Sequence, residues 1–189
     1  MEEYFKPLEE AFSSYIKDPQ TVDAIHNAFL FASKAHETQK RASGEPYIVH
    51  PVAVAKTLCT YNADPTTIIV ALLHDVIEDT DYSYQDIKEK FGEQVANLVD
   101  GLTKIQNISY SEGAKHAVDE MEYASNFQKM LISMSKDIRV IWIKLSDRLN
   151  NMQTLKYLPI EKQIRISKET LNIYTPIAHK LGMYHIIIR

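Results

Sequence analysis

At 189 residues with 45% apolar content, the chain can enclose one sizeable core, and its formal charge of −4 argues against the broad basic surface of a general nucleic-acid binder. A single cysteine, Cys59, excludes an internal disulfide and suits a reducing compartment as a buried structural thiol. Met1-Glu2-Glu3-Tyr4 lacks the basic start and apolar block of a signal peptide, and no run approaches a membrane span. The expectation is therefore one cytoplasmic domain, residues 1–189, that engages neither nucleic acid nor membrane.

Five glycines and seven prolines leave few tight turns for a β protein, while helix start signals recur, so the fold class is all-α. Thr21 can cap a helix running through Ala24, Ala28, Ala32 and Ala35, and Ser43-Gly44-Glu45-Pro46 makes a turn after it. Tyr47-Ile48-Val49 reads as extended, with His50 held extended before Pro51 at the first position of the next helix. Asp64-Pro65 opens a further helix that carries His74 to Asp79. Ser83 starts a short amphipathic helix ending at Phe91-Gly92, and another runs from Glu93 to about Lys104. Gln106 to Gly113 reads as a loop. Helices follow from about Ala117 to Met134 and from Asp137 to Leu155, and Pro159 begins the last. No repeat or linker divides the chain.

The run Leu72-Leu73-His74-Asp75-Val76-Ile77-Glu78-Asp79 concentrates the chemistry. At about 100° per residue, His74 and Glu78 fall nearly in line on a helix, with Asp75 and Asp79 in a second row. Three acids this close repel one another, and the flanking apolar residues draw them inward, where uncompensated charge is costly. A divalent cation is the simplest remedy.

The helix from Asp137 has Ile138, Ile141, Leu145, Leu149 and Met152 as one stripe and Val140 and Ile143 on the opposite side, so its first half should be central. Asp147 lies one turn beyond Ile143, on a face that begins in the core, and it too requires a cation. Asn151 and Thr154 continue that face with neutral hydrogen-bonding groups. His50, placed at the start of a helix, is the best second imidazole. His26, His36, His116, His179 and His185 read as surface or structural residues. Two imidazoles and two carboxylates suit a borderline to hard ion, with manganese, iron and zinc all open on spacing alone.

These four residues resemble the metal ligands of the HD phosphohydrolase superfamily. Arg41-Ala42-Ser43-Gly44-Glu45-Pro46-Tyr47-Ile48-Val49-His50-Pro51, Leu73-His74-Asp75-Val76-Ile77-Glu78-Asp79-Thr80, Asp100-Gly101-Leu102-Thr103-Lys104 and Lys144-Leu145-Ser146-Asp147-Arg148-Leu149-Asn150-Asn151-Met152 resemble, in order and spacing, the hydrolase domain of the RelA/SpoT family across roughly residues 20 to 183. The resemblance implies a multi-helix HD-domain bundle that removes pyrophosphate from the 3′ position of the guanine alarmones ppGpp and pppGpp, with Mn2+ as cofactor. Carried over residue by residue, His50, His74, Asp75 and Asp147 would hold the metal. Glu78 and Asp79 would position or activate water and move protons. Arg41 would flank the guanine, and Ser43, Asn151 and Thr154 would contact the nucleoside. Lys104, Lys144 and Arg148 are candidate phosphate contacts, which surface or structural ion pairs explain about equally well.

Two positions depart from the family pattern: Ala42 stands where a second basic residue is common, and Gln128 where an arginine is usual. Neither touches the metal or proton-transfer groups. The chain ends soon after Ala178-His179-Lys180-Leu181-Gly182-Met183, which in the long members leads into a synthetase domain, so it resembles either a free-standing hydrolase or a piece lacking its C-terminal synthetase partner. Losing such a partner would expose apolar surface. Two other functions fit the same metal-binding pattern: an HD phosphatase of another phosphorylated nucleotide or dinucleotide cofactor, and a catalytically silent nucleotide-binding module.

Overall fold

The computed structural model describes residues 2–109 and 137–183, with side chains described as far as Thr103 in the first stretch. The chain divides into two compact units, Met1–Thr103 and Lys104–Arg189. The described residues are helical and include no strand, in line with the sparse turn residues.

The first unit holds α1 (Glu2–Phe12), α2 (Pro19–Ala35), α3 (Val49–Cys59), α4 (Pro65–Leu73), α5 (Val76–Asp79), α6 (Tyr84–Phe91) and, as far as Thr103, α7 (Glu93–Ser109). α1 lies outside the expected elements, yet Phe5, Leu8 and Phe12 recur at helical spacing and all three are buried. α2 starts earlier than Thr21 suggested. Asp18 is the cap, with Pro19 in the first turn and the Thr21 N–H donating to the Asp18 carboxylate at 2.9 Å. α3 also starts early, at Val49, so His50 is helical rather than extended and Pro51 falls inside the first turn, where no intrahelical N–H is needed. Asp64 caps α4 and Ser83 caps α6 through a capping box with Asp86, both as expected. Gly92 closes α6 at φ +86°, a conformation that favours glycine. α7 continues to Ser109, past the expected end near Lys104. The expected helix from Ala117 to Met134 lies outside the described residues, as does Gln128.

α4 is apolar nearly all round and packs on both α2 and α3, while α1 packs on α3. Ile68, Val70, Ala71, Leu72 and Leu73 are at most 1% exposed. The chain therefore reaches His74 from within the core. Phe29 of α2 is fully buried, its ring 5.2 Å from that of Phe5.

In the second unit, the helix expected from Asp137 to Leu155 runs Ile138–Gln153, with Asp137 as its cap and Thr154 at its end. A 3-10 turn, Leu155–Tyr157, leads to Ile160–Glu169, and the helical path continues through a π segment, Thr170–Tyr174, into Thr175–Lys180. A proline at 176 would collide with the carbonyl of Asn172 in a regular α-helix, and the wider π turn just before it relieves that clash. Ile160, Ile164 and Leu171 are 66%, 50% and 68% exposed, an apolar stripe along this run.

Phe29→Ala should lower the folding free energy by about 3–5 kcal/mol through lost burial and the cavity left behind. Urea unfolding followed by circular dichroism measures this, and a loss under about 1 kcal/mol would show that Phe29 does not anchor the core.

Candidate metal centre

Three buried polar side chains meet where α3 begins and α4 ends. His50 stands in the first turn of α3, with His74 and Asp75 just beyond α4, and none is more than 5% exposed. The helix expected to carry His74 through Asp79 is not continuous. α4 stops at Leu73, Asp75 has φ −99° and ψ −4°, and a single turn restarts at Val76. The His74 side chain supplies a reason: its Nδ1 lies 2.7 Å from the Ala71 carbonyl, competing for the acceptor that residue 75 would use in an unbroken helix.

That contact also sets the tautomer. A carbonyl only accepts, so Nδ1 carries a proton, and in the neutral ring Nε2 presents a lone pair. Nε2 is buried, has no hydrogen-bond partner, and lies 3.0 Å from Asp75 Oδ2. His50 Nε2 sits 3.5 Å from the same oxygen, and the two imidazole rings are 5.1 Å apart. A lone pair facing a buried carboxylate is unfavourable unless a proton or a cation lies between them. Two imidazole nitrogens beside a carboxylate are a donor set that fits a divalent ion.

Burial by itself would push the Asp75 carboxyl up. When a proton sits on the imidazole nitrogens facing it, the positive charge of His74 first and of His50 after it outweighs burial and holds the carboxyl well below the usual carboxylate range. Asp79 shifts the opposite way, raised first by desolvation and then by the charge of Asp75. Glu78, on the same turn, is half-buried.

Tyr47 joins the two aspartates. Its hydroxyl lies 2.6 Å from Asp75 Oδ2 and 3.1 Å from Asp79 Oδ2. Behind it the buried ring of His36 stacks on the phenol at 4.4 Å, His36 Nδ1 is 2.9 Å from Gln39 Oε1, and Gln39 Nε2 donates to the Asp79 carbonyl at 2.6 Å. Sequence reasoning missed Tyr47 and Gln39 and placed His36 among surface or structural residues. The spacing of Tyr47, three residues before His50, was the available signal, whereas nothing local linked residue 39 to residue 79.

Arg41 and Ser43 occupy a turn closed by the Arg41 N–H on the Glu45 carbonyl and the Gly44 N–H on the Arg41 carbonyl, with Gly44 at φ +91°. The Arg41 guanidinium is 5.9 Å from the centre of the Tyr47 ring, which places it beside this cluster. The Ser43 hydroxyl donates to Glu45 at 2.8 Å. The side chain of Lys104 lies outside the described residues.

In the second unit, Asp147 is half-buried, accepts a hydrogen bond from Asn151 Nδ2 at 2.7 Å, and has the buried Lys144 ammonium 3.8 Å away. Thr154 ends the helix, its hydroxyl donating to the Asn150 carbonyl at 3.0 Å. Arg148 has a structural role here: its guanidinium lies 4.1 Å over the Tyr174 ring and pairs with Glu169 at 3.0 Å.

A family model described as "HD domain" matches residues 28–184. The bifunctional (p)ppGpp synthase/hydrolase SpoT of Escherichia coli (strain K12) is 47% identical over 182 residues, 96% of this chain and 25% of that protein. The guanosine-3′,5′-bis(diphosphate) 3′-pyrophosphohydrolase of Aquifex aeolicus (strain VF5) is 48% identical over 179 residues, 95% of this chain and 24% of that protein. The chain thus spans about a quarter of the length of the curated relatives it matches. A solved structure described as a metazoan ortholog of SpoT that hydrolyzes ppGpp superposes with a TM-score of 0.61 at 25% identity, covering 79% of this chain and 84% of that one.

Asp75 should set the acid limit of the metal-free protein. Because its folded-state pKa is depressed, its contribution is present above the ordinary carboxylate value of about 4 and is lost as pH falls through the lowered value. Thermal melts of chelator-treated protein between about pH 5 and 2 should show wild type losing Tm more steeply than Asp75→Asn, and parallel curves would contradict the assignment.

Proposed function

As this chain belongs to the HD-domain family, in its RelA/SpoT branch, we propose that it is a metal-dependent guanosine-3′,5′-bis(diphosphate) 3′-pyrophosphohydrolase that converts ppGpp or pppGpp and water to GDP or GTP and pyrophosphate. The observation that carries the reading is the buried lone pair of His74 Nε2, set with His50 around Asp75 in a chain about half identical to named pyrophosphohydrolases. We take the two units to work together as one hydrolase domain, since the family match runs through both. Among the described residues no helix is long and apolar enough to cross a membrane, and we place the enzyme in the cytoplasm.

His50, His74, Asp75 and Asp147 would hold the ion, with Mn2+ our choice among divalent metals. When bound, it would lower the pKa of water and neutralise charge on the phosphoryl oxygens. The chain's own groups move the protons. Glu78 or Asp79 accepts one from the attacking water as its oxygen bonds to the phosphorus on the 3′ oxygen, and a proton goes to that 3′ oxygen as the phosphorus–oxygen bond breaks. The raised pKa of Asp79 suits a group that alternates between the two forms. Arg41, exposed enough to meet a ligand, offers a flat, weakly hydrated cation to the guanine, and Ser43, Lys104, Asn151 and Thr154 would contact the rest of the nucleotide.

Incubation with ppGpp and manganese should yield GDP and pyrophosphate by chromatography, and their absence would end this reading. Asp75→Ala should lose both metal and turnover, whereas Glu78→Gln should keep its manganese and lose about 10²–10⁴ in kcat. Metal analysis beside kinetics decides this, and equal metal loss in the two variants contradicts the division of roles. Arg41→Ala should narrow the preference for guanine over adenine alarmones about tenfold in kcat/KM. An unchanged ratio would remove Arg41 from base recognition.

A further inference from the structure

The tyrosine beside the two aspartates is placed to do more than fill space. Its hydroxyl has one proton and two carboxylate neighbours, Asp75 Oδ2 at 2.6 Å and Asp79 Oδ2 at 3.1 Å. Without a donor between them, two acids one helical turn apart would swing away from each other, and the outer one, Asp79, is free to do so because it is the more exposed. The phenol is itself held. His36, 3% exposed, stacks on it with the ring planes 24° apart. The Gln39 amide nitrogen is committed to the Asp79 carbonyl, so its oxygen faces His36 and receives the Nδ1 proton. This chain of contacts ties the end of α2 to the backbone and the side chain of residue 79. It spans forty residues of sequence between Gln39 and Asp79, so it is a tertiary device and not a local turn.

We propose that Tyr47 is a positioning residue, held by His36 and Gln39, whose hydroxyl locks Asp79 against Asp75 so that the proton-transfer acid and the ligand acid keep one geometry. This rests on the roles assigned above to Asp75 and Asp79. Hydrogen bonds to a ligating carboxylate orient it toward the ion, and their loss commonly costs 10- to 100-fold in metal affinity or activity. An acid whose position depends on one hydroxyl should lose rate, not substrate affinity, when that hydroxyl is removed.

The test is Tyr47→Phe, which deletes one oxygen and keeps the ring stacked on His36, measured beside Asp79→Asn and the double variant. Calorimetric titration with Mn2+ in the absence of nucleotide should show about a tenfold weaker affinity in Tyr47→Phe. With ppGpp at saturating manganese, kcat should fall at least about tenfold with KM within about threefold, and Tyr47→Phe should add nothing to Asp79→Asn. Unchanged manganese affinity and kcat, or losses that multiply in the double variant, would overturn the proposal. So would a drop in activity that merely tracks a lowered Tm. The outcome stays separable from the substrate assignment: if wild type releases no pyrophosphate from ppGpp, the hydrolase reading fails, while the manganese titration still decides whether Tyr47 orients Asp75.

Discussion

A carboxylate as buried as that of Asp75 persists only if positive charge or hydrogen bonds surround it, and that constraint organises the first unit. Two imidazoles and a phenol converge on one of its oxygens from two separate stretches of chain, residues 47–50 and residue 74 beside it. Each is supplied by an element that also has packing work: α3 brings His50, the end of α4 brings His74, and the turn before α3 brings Tyr47. The apolar α4 delivers Asp75 into the core in the first place. Core and site are thus one construction.

The break after Leu73 follows from the same chemistry. In a continuous helix the His74 ring would not compete for the Ala71 carbonyl, and its tautomer would be set by whatever else lay nearby. By bonding that carbonyl, the ring fixes its protonated nitrogen and turns the other toward Asp75. The backbone then restarts as one turn, which keeps Asp79 a single turn from Asp75. The two aspartates end up in opposite electrostatic states, one held ionised and the other pushed toward the protonated form. That division would suit the ligand and proton-transfer roles proposed for them.

In the second unit, two neighbouring charged residues of one helix have partners close in sequence or on the next helical run. Asp147 is steadied by Asn151 and Lys144, so its carboxylate has neutral and cationic neighbours on its own helix. Arg148, one residue further, is held by Tyr174 of the π segment and by Glu169 at the end of the helix before it. Adjacent residues on one helix thereby have different surroundings, a carboxylate beside an amide and an ammonium, and an arginine that joins two helices.

Much of this was legible in local pattern. The scarcity of glycine, the caps at Asp64, Ser83 and Asp137, and the apolar character of the helices around His74 and Asp147 are properties of short windows, because capping and burial periodicity act over a turn or two. The ligand types, and the resemblance that ordered them, were likewise written in contiguous motifs. What escaped was set by contacts across tens of residues or by a side chain overruling its own backbone. α1 was missed because its partner surface is on α2 and α3. The start of α3 was misplaced because Pro51 also tolerates an inner first-turn position. The bond from His74 to Ala71, the Tyr47 hydroxyl between two aspartates and the Gln39 brace to residue 79 belong to that class as well. Sequence by itself determined which helices form and which groups could bind a cation, since those follow from local chemistry. Only the tertiary structure decided which lone pair faces which carboxylate, since that depends on where distant residues come to rest.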